Sequence, residues 1–99
     1  MILVTGTIRL PAARLDAALP VMREMIAQSR AEDGCIDYSY ARDLLDPDLI
    51  RVAEMWRSRE ALDAHFGAPH LARWRQSWAG LGITDRNLVL HEVHASSPT

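Results

Sequence analysis

The sequence predicts an α+β domain: a four-stranded antiparallel sheet with helices on one face, in β-α-β-β-α-β order. Three observations predict it. Four short stretches alternate apolar and polar residues as half-buried strands do: Ile2–Leu10, Cys35–Arg42, Leu49–Trp56 and Leu88–His94. Between the first and second, and between the third and fourth, apolar residues recur at helical spacing instead. The middle two strands are separated only by a turn signal, Asp46-Pro47-Asp48, and so form a hairpin.

Taken in order, the first strand carries Gly6 at its centre, where a missing Cβ lets another group approach closely. Pro11 ends it. From Ala13 to Glu32, Leu15, Ala18, Leu19, Met22, Met25, Ile26 and Ser29 mark one face of a long amphipathic helix. Pro20 should kink that helix near its start or mark its true first turn. Asp33-Gly34 turns the chain into the second strand, whose faces separate as Cys35, Asp37, Ser39 and Ala41 against Ile36, Tyr38, Tyr40 and Arg42. In the third strand Ile50, Val52, Glu54 and Trp56 share a face. Ser58 then offers a helix N-cap, and Leu62, His65 and Phe66 stand at i, i+3 and i+4 on one stripe. Gly67 closes this helix and Pro69 suits the first turn of another, which carries Leu71, Trp74, Trp78 and Leu81 on its inner stripe. Gly80, Gly82 and Asp85-Arg86-Asn87 connect it to the last strand.

This order is the ferredoxin-like, split βαβ arrangement. Helices of that topology cover only one sheet face, yet Leu49, Ala53 and Met55 put apolar surface on the other. A second subunit packed sheet to sheet is the natural cover, which predicts an obligate homodimer. Residues 1–95 read as one domain and 96–99 as a frayed tail.

Composition narrows the function classes. Apolar residues make up 48% and charged residues 24% of 99, proportions of a globular rather than a disordered chain. A formal charge of −2 and a pI near 6.0 give no basis for a nucleic-acid or anionic-membrane partner. No apolar run is long enough to span a bilayer, and MILVTGTIRL reads as a strand rather than a signal peptide. A single cysteine points to a reducing, cytoplasmic setting.

Three tryptophans, two histidines and a carboxylate between Leu49 and Trp78 suggest a walled pocket rather than a plain core. Each has a plainer alternative. For Trp56 it is packing under the helices, and for His65 a satisfied core histidine. Glu54, on the Trp56 face, is a half-buried carboxylate that needs a partner: an Arg, a Tyr hydroxyl or His65. Tyr38 and Tyr40 are strand aromatics whose hydroxyls can reach a ligand. Cys35 reads as a small buried residue rather than a nucleophile. His65 and His70 lie five apart, roughly 140° round a continuous helix, with Pro69 interrupting even that geometry; His91 and His94 point to opposite strand faces. Neither pair reads as a metal site, and no phosphate-cradling or dinucleotide motif is present.

Four pieces in order, Glu32-Asp33-Gly34-Cys35-x-x-Tyr38, Glu54-x-Trp56, Ala61-Leu62-x-x-His65 and Pro69-His70, resemble the antibiotic biosynthesis monooxygenase family of dimeric α+β barrels. The resemblance implies a ferredoxin-like fold, sheets of two chains paired into a barrel, and a pocket between sheet and helices. It implies a cofactor-independent monooxygenase acting with O₂ on a quinol or polyphenolic molecule. The rival readings are a non-catalytic small-molecule-binding or stress-response barrel, and an isomerase of a small oxygenated metabolite. Haem degraders within the family use a late-helix axial His and a first-strand Asn. Trp74 and Arg75, and Thr5, Gly6 and Thr7, stand in those regions here, so no haem and no other cofactor is expected. On this reading His65 is the base, with a reference pKa near 6.5 suited to neutral-pH proton transfer. Trp56 and Phe66 stack the substrate, Tyr38 or Tyr40 bonds its oxygens, and Glu54, His70 and Trp74 complete the pocket.

Overall fold

A computed structural model describes residues 1–99. Strand β1 (Ile2–Arg9) leads through a 3₁₀ turn at Ala12–Arg14 into helix α1 (Leu15–Arg30). Strands β2 (Cys35–Arg42) and β3 (Leu49–Trp56) follow, then helices α2 (Arg59–Phe66) and α3 (Pro69–Leu81), and strand β4 (Thr84–Glu92). The sheet order is β2-β3-β1-β4, antiparallel throughout, the ferredoxin-like arrangement that the element order predicts. No helix is long and apolar enough to cross a membrane.

The core lies between the helices and one sheet face. Ile2, Val4 and Ile8 of β1 and Ile50, Val52 and Trp56 of β3 are buried on that face, meeting Met22 and Met25 of α1, Leu62 of α2, and Leu71 and Trp74 of α3. The shortest dimension of the molecule is 19 Å, the thickness of one sheet plus one helical layer. The opposite sheet face therefore carries no layer of its own.

Several boundaries differ from the sequence reading. Helix α1 continues through Pro20, which sits at its sixth position rather than in its first turn, and is shorter at both ends than Ala13–Glu32. Pro20 removes a single backbone donor there, and the burial of Ala18, Met22 and Met25 outweighs that loss. Strand β4 begins at Thr84, so Asp85, Arg86 and Asn87 belong to the sheet rather than to a connector. Asp85 has positive φ, and the β1–β4 register shifts beside it, between Thr7 and Arg9. A second shift, between Cys35 and Asp37, breaks the expected alternation of β2. Cys35 packs against the core, and Ile36 is thrown out to 53% exposure instead of sharing the inner face with Tyr38.

Candidate functional site

Three local features bring the site together. The C-terminal end of α1 continues into a turn, with Glu32 N–H bonded to Ser29 O at 3.1 Å and Cys35 N–H to Glu32 O at 3.2 Å. Gly34, at φ +85°, closes that turn, and its carbonyl accepts the Arg57 N–H at 2.8 Å, tying the turn to the end of β3. Helix α2 starts on the Ser58 cap, whose hydroxyl accepts the Ala61 N–H at 3.2 Å. The α2–α3 break then follows from proline chemistry. Pro69 pushes Ala68 into extended geometry (φ −75°, ψ 139°), so α2 cannot continue and α3 begins in a new direction.

That redirection corrects the expectation that His65 and His70 are held apart. Their ring centroids lie 6.0 Å from each other, and both face Glu32. His65 Nδ1 is 2.7 Å from Glu32 Oε2, and its Nε2 is 3.4 Å from the Tyr38 hydroxyl. His70 Nε2 lies 3.2 Å from Glu32 Oε1 but out of line for a hydrogen bond, so this buried atom has no partner. His65 is 1% exposed and Tyr38 also 1%. The His65 ring lies against Trp56 at 4.7 Å between centroids and edge-on to Tyr38 at 5.3 Å.

His65 borders a cavity of about 30 Å³, room for roughly one water, lined with Tyr38, Tyr40, Glu54, Trp74, Arg75 and Arg86 among others. An open cleft of about 270 Å³, lined by Phe66, Leu71, Ala72, Arg75 and Arg86, lies beside it and shares four of these residues with the cavity. The indole N–H groups of Trp74 and Trp78 are buried without acceptors, and both rings line the inner cavity. Neither Arg75 nor Arg86 is ion-paired to a carboxylate. The site is therefore rich in unused donors.

The electrostatics follow from burial. Desolvation, then Glu54, pushes Glu32 up to about 7. Desolvation, then His70 and Arg75, pulls His65 down to about 4. Burial also holds Tyr38 far above the ordinary phenol range, so it stays a neutral hydroxyl. Glu54 is raised by burial, while the Trp56 indole hydrogen bond, Arg86 and Arg75 pull it the other way. Burial, then Glu32, pushes the Cys35 thiol up, the wrong direction for a nucleophile. Glu32 and His65 in contact titrate as a pair. Below about 7 the pair shares one more proton across the Glu32–Nδ1 contact, and Nε2 carries a hydrogen. Above about 7 the Glu32 carboxylate accepts the Nδ1–H, leaving a lone pair on Nε2.

The family model described as antibiotic biosynthesis monooxygenase matches residues 1–77. The chain belongs to this family. Among curated proteins it is 35% identical over 69 residues to the uncharacterized protein sll1783 of Synechocystis, covering 70% of this chain and 47% of that one. It is 40% identical over 65 residues to Rv0793 of Mycobacterium tuberculosis, described as a candidate monooxygenase, covering 66% and 62%. The chain thus spans between about half and three-fifths of the curated relatives it matches. The solved structure of Rv0793 superposes with a TM-score of 0.76 at 27% identity, covering 98% of this chain and 96% of that one. A Deinococcus radiodurans protein, described as a candidate antibiotic biosynthesis monooxygenase, gives a TM-score of 0.91 over 100% and 98% of the two chains. At 22% identity that likeness speaks for the fold.

In this member of the antibiotic biosynthesis monooxygenase family, Tyr38, Tyr40, Glu54, His65, Phe66 and Trp74 all line the inner cavity. Trp56 and His70 do not. Trp56 is fully buried beneath His65, and its indole N–H donates to Glu54 Oε1 at 3.0 Å. Glu54 is therefore occupied by Trp56, and the carboxylate on His65 is Glu32. Phe66, expected on the inward stripe, is 49% exposed at the rim. Sequence reasoning missed Glu32, Arg75 and Arg86 as site residues. Glu32 reads as a helix end before an Asp-Gly turn, and Arg86 as part of a connector. The extension of β4 back to Thr84 places Arg86 two residues before Leu88 on the strand, and both line the inner cavity.

Proposed function

We propose that this chain is a cofactor-independent monooxygenase that oxidises a quinol or polyphenolic small molecule with O₂. The observation that carries the reading is His65, oriented by Glu32 through Nδ1, with Nε2 beside the Tyr38 hydroxyl, at a cavity walled by aromatic rings and lined by unpaired cationic donors. Nε2 takes the phenol proton, Tyr38 donates to the substrate oxygen, and Arg75 and Arg86 stabilise the phenolate. The phenolate gives one electron to O₂, the radical pair recombines as a peroxide anion on a ring carbon that carries hydrogen, and the proton held by His65 converts it to the hydroperoxide. Loss of water then leaves one oxygen atom on the ring as a carbonyl. The inner cavity is too small for an aromatic ring, so the ring occupies the outer cleft against Phe66 with only its reacting edge inside. Oxygen uptake with a panel of quinols, on chelator-treated protein, tests the reading. Substrate-dependent uptake is expected. Tight quinol binding with no uptake would favour the non-catalytic barrel instead.

The pH profile follows from the Glu32–His65 pair. On metal-stripped protein kcat/KM is expected to rise with pH and level off above about 7, because the pair must lose a proton before Nε2 can accept one. A flat profile from about pH 5.5 to 8.5 would remove His65 from the role.

The same reading includes a homodimer. Leu3, Ala53 and Met55 lie on the sheet face opposite the helices, together with Val89, which is 51% exposed. Burying that face against a twin supports the barrel, and the protein is expected to sediment at about twice its 11.1 kDa mass at low micromolar concentration. A well-folded monomer in sedimentation velocity would exclude it.

A further inference from the structure

We infer that Glu32, His65 and His70 form a binding site for one divalent transition-metal ion of the zinc class per chain. Their ligand atoms all lie within 4.8 Å of one another, contributed by the turn after α1, by α2 and by the first turn of α3. Two imidazole nitrogens and one carboxylate oxygen are a set that zinc accepts, with its fourth position left to solvent. Glu32, whose side chain is 18% exposed, gives that solvent access, while the two imidazoles are 2% and 9% exposed.

A purely orienting role for Glu32 explains the 2.7 Å contact to His65 Nδ1. It does not explain His70. That side chain is 91% buried, and its Nε2 lies 3.2 Å from Glu32 Oε1 with no hydrogen bond to anything. A buried polar atom without a partner costs stability, and a metal ion is the partner that the neighbouring donors supply. Zinc–ligand lengths near 2.0–2.1 Å in a tetrahedron put ligand atoms about 3.3 Å apart. The 3.2 Å separation of Glu32 and His70 already suits this. His65 Nδ1 faces the other oxygen, Oε2, at 2.7 Å, so the carboxylate has to turn to present one oxygen to both rings, and no separation has to close by more than about 1.5 Å. Rotation of the Glu32 side chain and small shifts of the rings provide movements of that size.

Coordination has a chemical consequence at the other ring nitrogen. A metal on Nδ1 requires the neutral ring to carry its proton on Nε2, which then donates toward the Tyr38 hydroxyl 3.4 Å away. The lone pair assigned above to the substrate proton is lost, so the ion is an inhibitor of that reaction. This consequence rests on the proposed function; metal binding itself does not.

The test is titration of chelator-treated, desalted full-length protein with Zn²⁺ by calorimetry, and with Co²⁺ by visible absorption. One ion per chain with a micromolar or tighter Kd is expected, together with the intense visible bands of four-coordinate Co²⁺. His70→Gln and Glu32→Gln should each weaken it by about 100-fold or more, whereas His91→Ala, on the opposite sheet face, should leave it unchanged. Circular dichroism establishes that each variant is folded, and His70→Gln, at the start of α3, guards against a Glu32→Gln that is not. Nitrogen-detected NMR of His65 should show the ring proton on Nε2 once Zn²⁺ is bound. Binding weaker than millimolar, or binding that His70→Gln does not alter, would overturn the site.

Discussion

His65→Gln is expected to lower kcat on a confirmed quinol substrate by roughly 10²–10⁴-fold while the chain stays folded. Glutamine nearly fills the imidazole volume and keeps a polar amide in the buried site, although the contact that Nδ1 makes to Glu32 Oε2 is lost. It cannot accept a proton at neutral pH, which isolates the chemical role from the packing role. Arg75→Gln, at the cleft, should act differently by raising KM through weaker hold on the substrate anion. Trp56 does not serve as the binding probe that its sequence position suggests. It is 0% exposed and packed under His65, so Trp56→Ala should cost about 3–5 kcal/mol of stability and compromise the whole site. Urea titrations beside the kinetics separate the outcomes. If His65→Gln keeps full turnover but loses several kcal/mol, His65 is a core histidine, and the base has to be sought among Tyr38, Tyr40 and His70.

Gly6→Ala is expected to be the most damaging single-methyl change in the fold. Gly6 is central in the sheet, paired with Val52 on one side and Leu88 on the other, at φ +156°. An added Cβ would lie 1.9 Å from Asn87 O and 2.8 Å from Leu88 Cα. Both neighbours are backbone, so relief requires moving β4 rather than rotating a side chain. The shift would weaken the β1–β4 ladder and displace Arg86, which precedes the contact by one residue. A loss of about 3 kcal/mol or more is expected, a large share of the roughly 5–15 kcal/mol that holds a domain of this size together. Equilibrium urea unfolding reads it directly. A cost below about 1 kcal/mol would mean that β4 yields far more easily than a central sheet pairing should.

Much of the architecture is legible without coordinates. Periodicity of two against 3.6 separates the strands from the helices, and Asp46-Pro47-Asp48 pairs β2 with β3. Ser58 as a cap and Gly6 as a point of close approach are local chemistry, readable from residue type and position alone. The errors arise where pairing or long-range packing decides. A bulge costs one residue of register and is invisible to an alternating pattern, which is why Ile36 is exposed and Cys35 packs inward. Pro20 is a helix breaker by propensity, but one lost hydrogen bond is small beside the apolar face it would disrupt.

The site divides in the same way. Residue order and type were enough to put His65 on the inner stripe of its helix and Tyr38 on a strand, because those placements depend only on neighbours three, four or two positions away. The carboxylate that His65 uses was decided only in three dimensions. Glu32 is 33 positions from His65, and Glu54, the nearer choice in sequence, is captured by the indole two residues along its own strand. His70 joins them because Pro69 forces Ala68 into extended geometry and re-aims the next helix. Local covalent geometry sets where a side chain points along its own element. Which distant side chain meets it depends on how the elements cross, and that is settled by the packing of the whole core.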